Sequence, residues 1–285
     1  MPPKTVADKR VLITGAASGI GRATARAAGA RGARLFLTDV REEPLRQVAD
    51  EIRAAGGTVE YVKALDVSDH AAIVEMAAEI HAARGSLDIV MNVAGIAVWG
   101  TVDTLVHEQW RRVVDVNLMG PIHVIECFLP AMIAAGRGGH LVNVSSAAGL
   151  FGLPWHAPYS ATKFGLRGLS EVLRFDLRRH DIGVQLVCPG AVNTGLVETV
   201  EIAGVDTSAP SIGKARAGFR RHATSPEHAA ERILAGIERN RYWVYTSRDI
   251  QVFHFLQRRF ELGYVLAMRA ANAAFFAVVS RRDSR

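Results

Sequence analysis

The chain has 285 residues, 49% hydrophobic, 22% charged and 7% aromatic, enough to bury a large core, which excludes disorder, collagen and coiled coil. Its two cysteines, Cys127 and Cys188, lie far apart with no Cys or His at ligand spacing, which excludes a disulfide framework, predicts no metal and fits a reducing cytoplasm. Of the net charge of +6, a net +5 lies from Arg241 onward, where eight Arg face three acidic residues. The rest of the chain is nearly neutral and lacks the basic, aromatic-interleaved stripe of a nucleic-acid binder.

Residues 1–10 carry charges but no apolar run or small-residue cleavage site, which argues against secretion. β-branched runs at 10–14, 34–38, 58–62, 87–92, 140–145 and 183–187 have the length of buried strands with apolar residues on both faces. Helical stretches alternate with them at 20–30, 42–55, 69–83, 108–135 and 159–180. Six such units predict an α/β fold with a doubly wound, Rossmann-like parallel sheet. An irregular stretch at 195–223 follows, then a helix opened by Ser225, Pro226 and Glu227, and a seventh strand at 242–246. We read 1–246 as one dinucleotide-binding and catalytic domain, and 247–285 as an apolar, Arg-rich helical extension.

Strand one runs into Thr14-Gly15-Ala16-Ala17-Ser18-Gly19-Ile20-Gly21 and then into a helix. A dinucleotide pyrophosphate binds on helix N-terminal N–H groups in that context, and the glycines let the backbone turn sharply and approach the phosphates. Strand two ends at Asp39, whose carboxylate suits the two adenosine ribose hydroxyls and would repel a 2′-phosphate. That favours NAD, with Arg22 and Arg41 leaving a minority case for NADP.

These residues, with Asp66-Val67, Asn92-Val93-Ala94-Gly95, Asn117, Ser145-Ser146, Tyr159-Ser160-Ala161-Thr162-Lys163 and Pro189-Gly190-Ala191-Val192-Asn193-Thr194, resemble the short-chain dehydrogenase/reductase family over roughly residues 8–246. The resemblance implies a nicotinamide cofactor, hydride exchange with an alcohol or carbonyl, and a homo-oligomer. It assigns dinucleotide contacts to Gly15, Ala17, Ser18, Gly19, Ile20, Gly21, Asp39, Asp66, Val67, Asn92, Ala94, Gly95, Tyr159, Lys163, Pro189, Gly190, Val192 and Thr194. Val93 departs from the family, which commonly has a second Asn there.

Hydride exchange also moves a proton, so the site needs a group that exchanges one near neutral pH and donors aimed at the developing oxyanion. Tyr159 and Lys163 stand four apart on one helix face, where the ammonium is expected to favour phenolate and lower the tyrosine pKa. The family's serine precedes its tyrosine by 13 positions, which selects Ser146 over Ser145, and Asn117 resembles the residue that holds a relay water. These four form the predicted catalytic set. Without a Gly-x-Ser-x-Gly elbow, Ser146 is no hydrolase nucleophile. His156 reads equally as a substrate contact or an exposed loop histidine.

The substrate segments offer Ile96, Val98, Trp99, Leu150, Phe151, Leu153, Trp155, Leu196 and Val197, which suits a hydrophobic, steroid- or lipid-like secondary alcohol or ketone. In the tail, residues 262–279 nearly match a spanning length, but Arg269 and Asn272 at the centre argue against insertion. Arg258, Glu261, Arg269 and Asn272 fall on one side of a helix and leave a broad apolar face. Such a helix suits a membrane interface, a partner subunit or the enzyme's own active site.

Overall fold

The structure is a computed structural model and describes residues 4–205, 207 and 209–280. Strand β1 (Arg10–Thr14) leads into helix α1 (Gly19–Ala30), β2 (Arg34–Asp39), α2 (Glu42–Ala54), β3 (Thr58–Ala64), α3 (His70–Arg84) and β4 (Ile89–Asn92). After the short β5 (Val98–Trp99) come α4 (His107–Val114), a π-helical turn at Asp115–Met119, α5 (Gly120–Ala135) and β6 (Gly139–Val144). Then follow α6 (Ala157–Asp176), β7 (Ile182–Cys188), α7 (Gly195–Thr199), β8 (Glu201–Ile202), α8 (Pro210–His222), α9 (Pro226–Glu238) and β9 (Trp243–Tyr245). The chain closes with α10 (Arg248–Gln257) and α11 (Glu261–Ser280).

Among the described residues, seven strands form one parallel sheet in the order β3-β2-β1-β4-β6-β7-β9. The order reverses between β1 and β4, and in such sheets ligands bind outside the strand C-termini at that reversal. Side chains alternate across the sheet with period two. Val11, Ile13, Leu35 and Leu37 join the core under α1, α2 and α9, while Leu12 and Phe36 join the core under α3 and α5. The cap expected at Ser225 is present, its hydroxyl accepting from the His228 N–H at 3.1 Å, and Asp69 caps α3 by accepting from the Ala72 N–H at 3.1 Å.

Some expectations change. β3 sits at the sheet edge and is half-buried rather than covered on both faces. The stretch at 195–223 holds α7, β8 and α8, and β8 pairs with β5 in a separate two-stranded ribbon. The helix expected over 108–135 carries the π turn. The tail is broken at 258–260, so Arg258 does not share a helix with Arg269. Asn272 lies on the half-buried face of α11 instead of its polar side. Of the three placements open to the tail, the structure shows it folded on its own body: Tyr264 Oη donates to the Gly152 carbonyl at 2.9 Å, and Phe253 packs edge-on to Phe151 at 4.6 Å.

Candidate active site

The glycine turn is built to admit no side chain. Gly15 and Gly19 have φ of +68° and +51°, where L-residues are strained. A Cβ on Gly21 would lie 2.0 Å from the Gly15 carbonyl oxygen, so Gly15 and Gly21 close the turn against each other. Thr14 Oγ1 accepts from the Val93 and Ala94 N–H groups at 3.0 and 3.1 Å, which joins the ends of β1 and β4. Val93 therefore leaves that turn intact and packs its side chain against the core. Ala17 is buried and Ile20 is half-buried against the α1-side core.

Asp39 ends β2 and turns its carboxylate back onto the glycine turn. Oδ2 accepts from the Ala17 N–H at 3.0 Å, while Oδ1 accepts from the Arg41 N–H at 3.0 Å and Arg41 Nε at 3.2 Å. Arg41 also donates to Ser18 Oγ at 2.7 Å. Arg22 is held away by a two-pronged pair with Glu51 at 2.9 and 3.0 Å. Of the two arginines weighed for a phosphate, Arg41 is the one whose guanidinium reaches the turn. Asp66 is exposed and engaged by the Ser68 N–H and hydroxyl, and Val67 is buried against Gly120.

Asn92 is buried and starts a polar chain: its Nδ2 donates to Asn143 Oδ1 at 2.9 Å, Asn143 Nδ2 to Ser170 Oγ at 2.9 Å, and Ser170 to the Leu166 carbonyl at 2.7 Å. This chain fastens β4 and β6 to α6, the helix that carries Tyr159 and Lys163. Asn117, fully buried in the π turn, clamps the segment after Gly95. Its Oδ1 accepts from the Ile96 N–H at 2.8 Å and its Nδ2 donates to the Ile96 carbonyl at 2.9 Å. π turns inside α-helices concentrate at functional sites. A Cβ on Gly95 would stand 3.1 Å from Asn117 Oδ1 and 3.5 Å from Lys163 Nζ, so these three residues meet.

The two serines divide their duties. Ser145 is buried and donates to the Lys163 carbonyl at 2.9 Å, holding α6. Ser146 is half-buried, accepts from the Ala148 N–H at 3.1 Å and faces the Tyr159 hydroxyl. Lys163 is buried, donates to the Val144 carbonyl at 3.0 Å, and places its ammonium 5.6 Å from the Tyr159 ring centre. Burial drives its pKa down to about 8. The expected lowering of the Tyr159 pKa is reversed: burial pushes it up, and the Ser146 hydroxyl only partly opposes that.

After β7, the Pro189 carbonyl accepts from the Ala147 N–H at 2.8 Å. Gly190 sits under α10, where a Cβ would meet Ile250 at 2.7 Å. Val192 is buried and bridges Thr224. Thr194 reaches across to Gly19, whose Cβ would lie 3.0 Å from it. The predicted residues of the glycine turn, β4, β6, α6 and the β7 loop thus converge at the strand ends around the sheet reversal. Nothing in the residue pattern pointed to Arg41 on Ser18 or to the Gly190 contact with α10, since both are tertiary.

The substrate segments sort differently. Val98, Leu150 and Phe151 are buried, the last two within the main core, and are not pocket walls. The Val197 side chain lies outside the described residues. His156 is buried rather than exposed. Its Nδ1–H donates to the Pro154 carbonyl at 2.6 Å, its ring stands 4.4 Å from Trp99 and 6.4 Å from Tyr159, and burial lowers its pKa.

With this geometry, the comparisons agree. The short chain dehydrogenase family matches residues 9–203, and the chain belongs to that family. Its fold is that of short-chain dehydrogenases/reductases solved with nicotinamide dinucleotides. It is 34% identical over 270 residues to the oxidoreductase SadH of Mycobacterium tuberculosis, covering 94% of this chain and 96% of that one. The chain spans about two fifths of the length of another relative, EphD of the same species, at 34% identity. A short-chain dehydrogenase/reductase of Burkholderia phymatum in complex with NAD superposes with a TM-score of 0.81 at 30% identity, over 89% of this chain and 94% of that one. A metagenomic short-chain oxidoreductase in complex with NADP gives a TM-score of 0.68 at 33% identity, over 84% and 96%.

Proposed function

We propose that this protein is an NAD-dependent dehydrogenase/reductase for a hydrophobic, steroid- or lipid-like secondary alcohol or ketone. The observation that carries the reading is the grouping of Ser146, Tyr159 and the buried Lys163, whose ammonium lies 5.6 Å from the Tyr159 ring centre, next to a turn that glycines keep clear. The bound nicotinamide supplies or accepts the hydride. Gly15, Ala17, Ser18, Gly19, Ile20 and Gly21 hold the pyrophosphate end, Asp39 the adenosine ribose, and Asp66 and Val67 the adenine. Asn92, Ala94, Gly95, Pro189, Gly190, Val192 and Thr194 line the nicotinamide end.

In this reading Tyr159 exchanges the proton with the substrate oxygen. In the ketone direction its raised pKa keeps the hydroxyl protonated, ready to donate. Ser146 orients the same oxygen, the Lys163 ammonium favours the phenolate that forms, and Asn117 holds the relay. Residues 1–246 form the dinucleotide and catalytic domain and 247–285 the appended helices, in a homo-oligomer. The two free cysteines suit a cytoplasmic setting.

Asp39 supports NAD because its carboxylate stands at the end of β2, hydrogen-bonded to the glycine turn. The second reading, an NADP-linked ketone reductase, draws on the half-exposed Arg41 guanidinium beside Ser18. Fluorescence titration with NADH and NADPH, followed by turnover against apolar alcohols and ketones, tests both. NADH binding at least about tenfold tighter, about 1.4 kcal/mol, is expected. NADPH preference selects the second reading, and binding with no turnover on any substrate refutes the enzyme and leaves a non-catalytic dinucleotide-binding regulator.

A further inference from the structure

The tail places an aromatic ring where substrate is expected. Phe275 of α11 stacks nearly parallel on Trp155, at 6.0 Å and 19°. It meets Trp99 at 6.4 Å and 80°, and His156 at 6.0 Å and 70°. Phe276 closes the outer side, edge-on to Trp155 at 5.2 Å. One ring face and two ring edges thus frame a flat slot, and His156 connects that slot to Tyr159 at 6.4 Å. Stacked and edge-on contacts favour an arene over a saturated ring of equal area.

Two further observations mark the slot as a binding site rather than plain core. The indole N–H groups of Trp99 and Trp155 are both buried with no acceptor among the described residues, and Trp155 as a whole is only 9% exposed. Buried donors are nearly always paired, so two orphans on rings that border one slot are open to acceptors from outside the chain. Trp155 is also held at φ +66°, the left-handed region that a bulky residue avoids, with its carbonyl pinned by the Gly100 N–H at 2.8 Å. Such strain persists where surrounding contacts impose it and clusters at ligand clamps.

The helix that delivers Phe275 has a joint. α10 is anchored, with Ile250 against Gly190 and the Tyr245 hydroxyl hydrogen-bonded to His254 Nδ1 at 3.0 Å. α11 begins after the break at 258–260, and it leaves Leu262, Leu266 and Phe276 exposed. Withdrawing Phe275 at that break, with α10 left on the β7 loop, requires Tyr264 to release the Gly152 carbonyl.

We infer that the slot formed by Trp99, Trp155 and His156 binds the aryl group of the substrate, that ring-borne acceptor oxygens take the two indole N–H groups, and that Phe275 fills the slot until substrate displaces it. The inference rests on the dehydrogenase reading and narrows its apolar substrate class to aryl alcohols and ketones with an ether or carbonyl oxygen on the ring. It also makes α11 a tethered competitor of the substrate. Removing the Phe275 ring then strengthens binding, whereas a permanent wall would weaken it.

The test uses the full chain with its preferred nucleotide and three probes: α-methylbenzyl alcohol, its para-methoxy derivative and cyclohexyl methyl carbinol. Turnover and tryptophan emission are followed for the parent, Trp155→Phe, Phe275→Ala and, as a milder change, Phe275→Leu. The expected order of kcat/KM is para-methoxy, then unsubstituted aryl, then cyclohexyl, with each step on the order of tenfold. Trp155→Phe brings kcat/KM for the para-methoxy probe down to that of the unsubstituted aryl probe. Both Phe275 variants lower KM for the aryl probes by several-fold with little change in kcat.

Equal turnover of the cyclohexyl and aryl probes overturns the slot and leaves the dehydrogenase reading standing. A higher KM in both Phe275 variants overturns displacement. If the aryl probes shift tryptophan emission but no probe turns over, the slot stands and the dehydrogenase reading fails. No emission change and no turnover overturn the slot.

Discussion

The two sides of the cleft are held together in opposite ways. On the dinucleotide side, hydrogen bonds tie the segments together: Thr14, Asp39 and Asn143 each link two of them, and Gly15 and Gly21 leave no room for a Cβ. On the substrate side, two indole N–H groups have no partner among the described residues, Trp155 is strained, and α11 lays Phe275 across the slot. The difference teaches that the cofactor half is preorganised by local bonds, whereas the substrate half is a standing arrangement of rings that a ligand must complete.

The paired serines test the first half most severely. Ser146→Ala is expected to lower turnover by about 10²-fold with little loss of stability. Ser145→Ala removes a buried hydrogen bond to α6 instead, so it costs about 1 kcal/mol in urea unfolding and leaves turnover near that of the parent. Equal effects of the two changes on turnover would erase the distinction between them.

Next comes the buried ammonium. The folded Lys163 pKa of about 8 lies below its ordinary 10.5, so between these values the unfolded chain holds the extra proton. Stability from this group therefore rises with pH across that window, by about 3 kcal/mol in all, and the charge burden is greatest below about pH 8. Lys163→Met lacks this rise. Urea midpoints of parent and variant near pH 7 and near pH 10 give the difference directly.

Smaller effects sharpen the contrast. Asn143→Ala breaks the chain from Asn92 to Ser170 and is expected to lose about 1–3 kcal/mol by denaturant unfolding. Gly21→Ala forces a Cβ onto the Gly15 carbonyl and shifts the turn, costing about 1–3 kcal/mol in stability and weakening NADH binding. Asp39→Ala leaves Arg41 without its carboxylate partner, so the ratio of NADH to NADPH affinity falls by about tenfold.

How much of this was legible in the sequence follows the same division. The sheet, the glycine turn, Asp39 and the helical spacing of Tyr159 and Lys163 depend on local chemistry and short spacings, and the chain shows them where expected. The π turn under Asn117 was hidden because the residue pattern around it continues a helix. The direction of the Tyr159 pKa was misjudged because a spacing of four reports proximity to Lys163 and says nothing of burial. The choice at His156 between a substrate contact and an exposed loop histidine stayed open for a similar reason: the rings that bury it come from Trp99 and from Phe275 of the tail. Reading the tail as one amphipathic helix failed at the break before Glu261, where periodicity was summed across two axes.

The most direct measurement is a side-by-side comparison of the parent and Tyr159→Phe, with NADH titration and turnover on an apolar secondary alcohol. The account predicts that the variant binds NADH as the parent does while turnover falls by about 10²–10⁴-fold. A variant that turns over at the parent rate would contradict it, because the proton would then be moving through some group other than Tyr159.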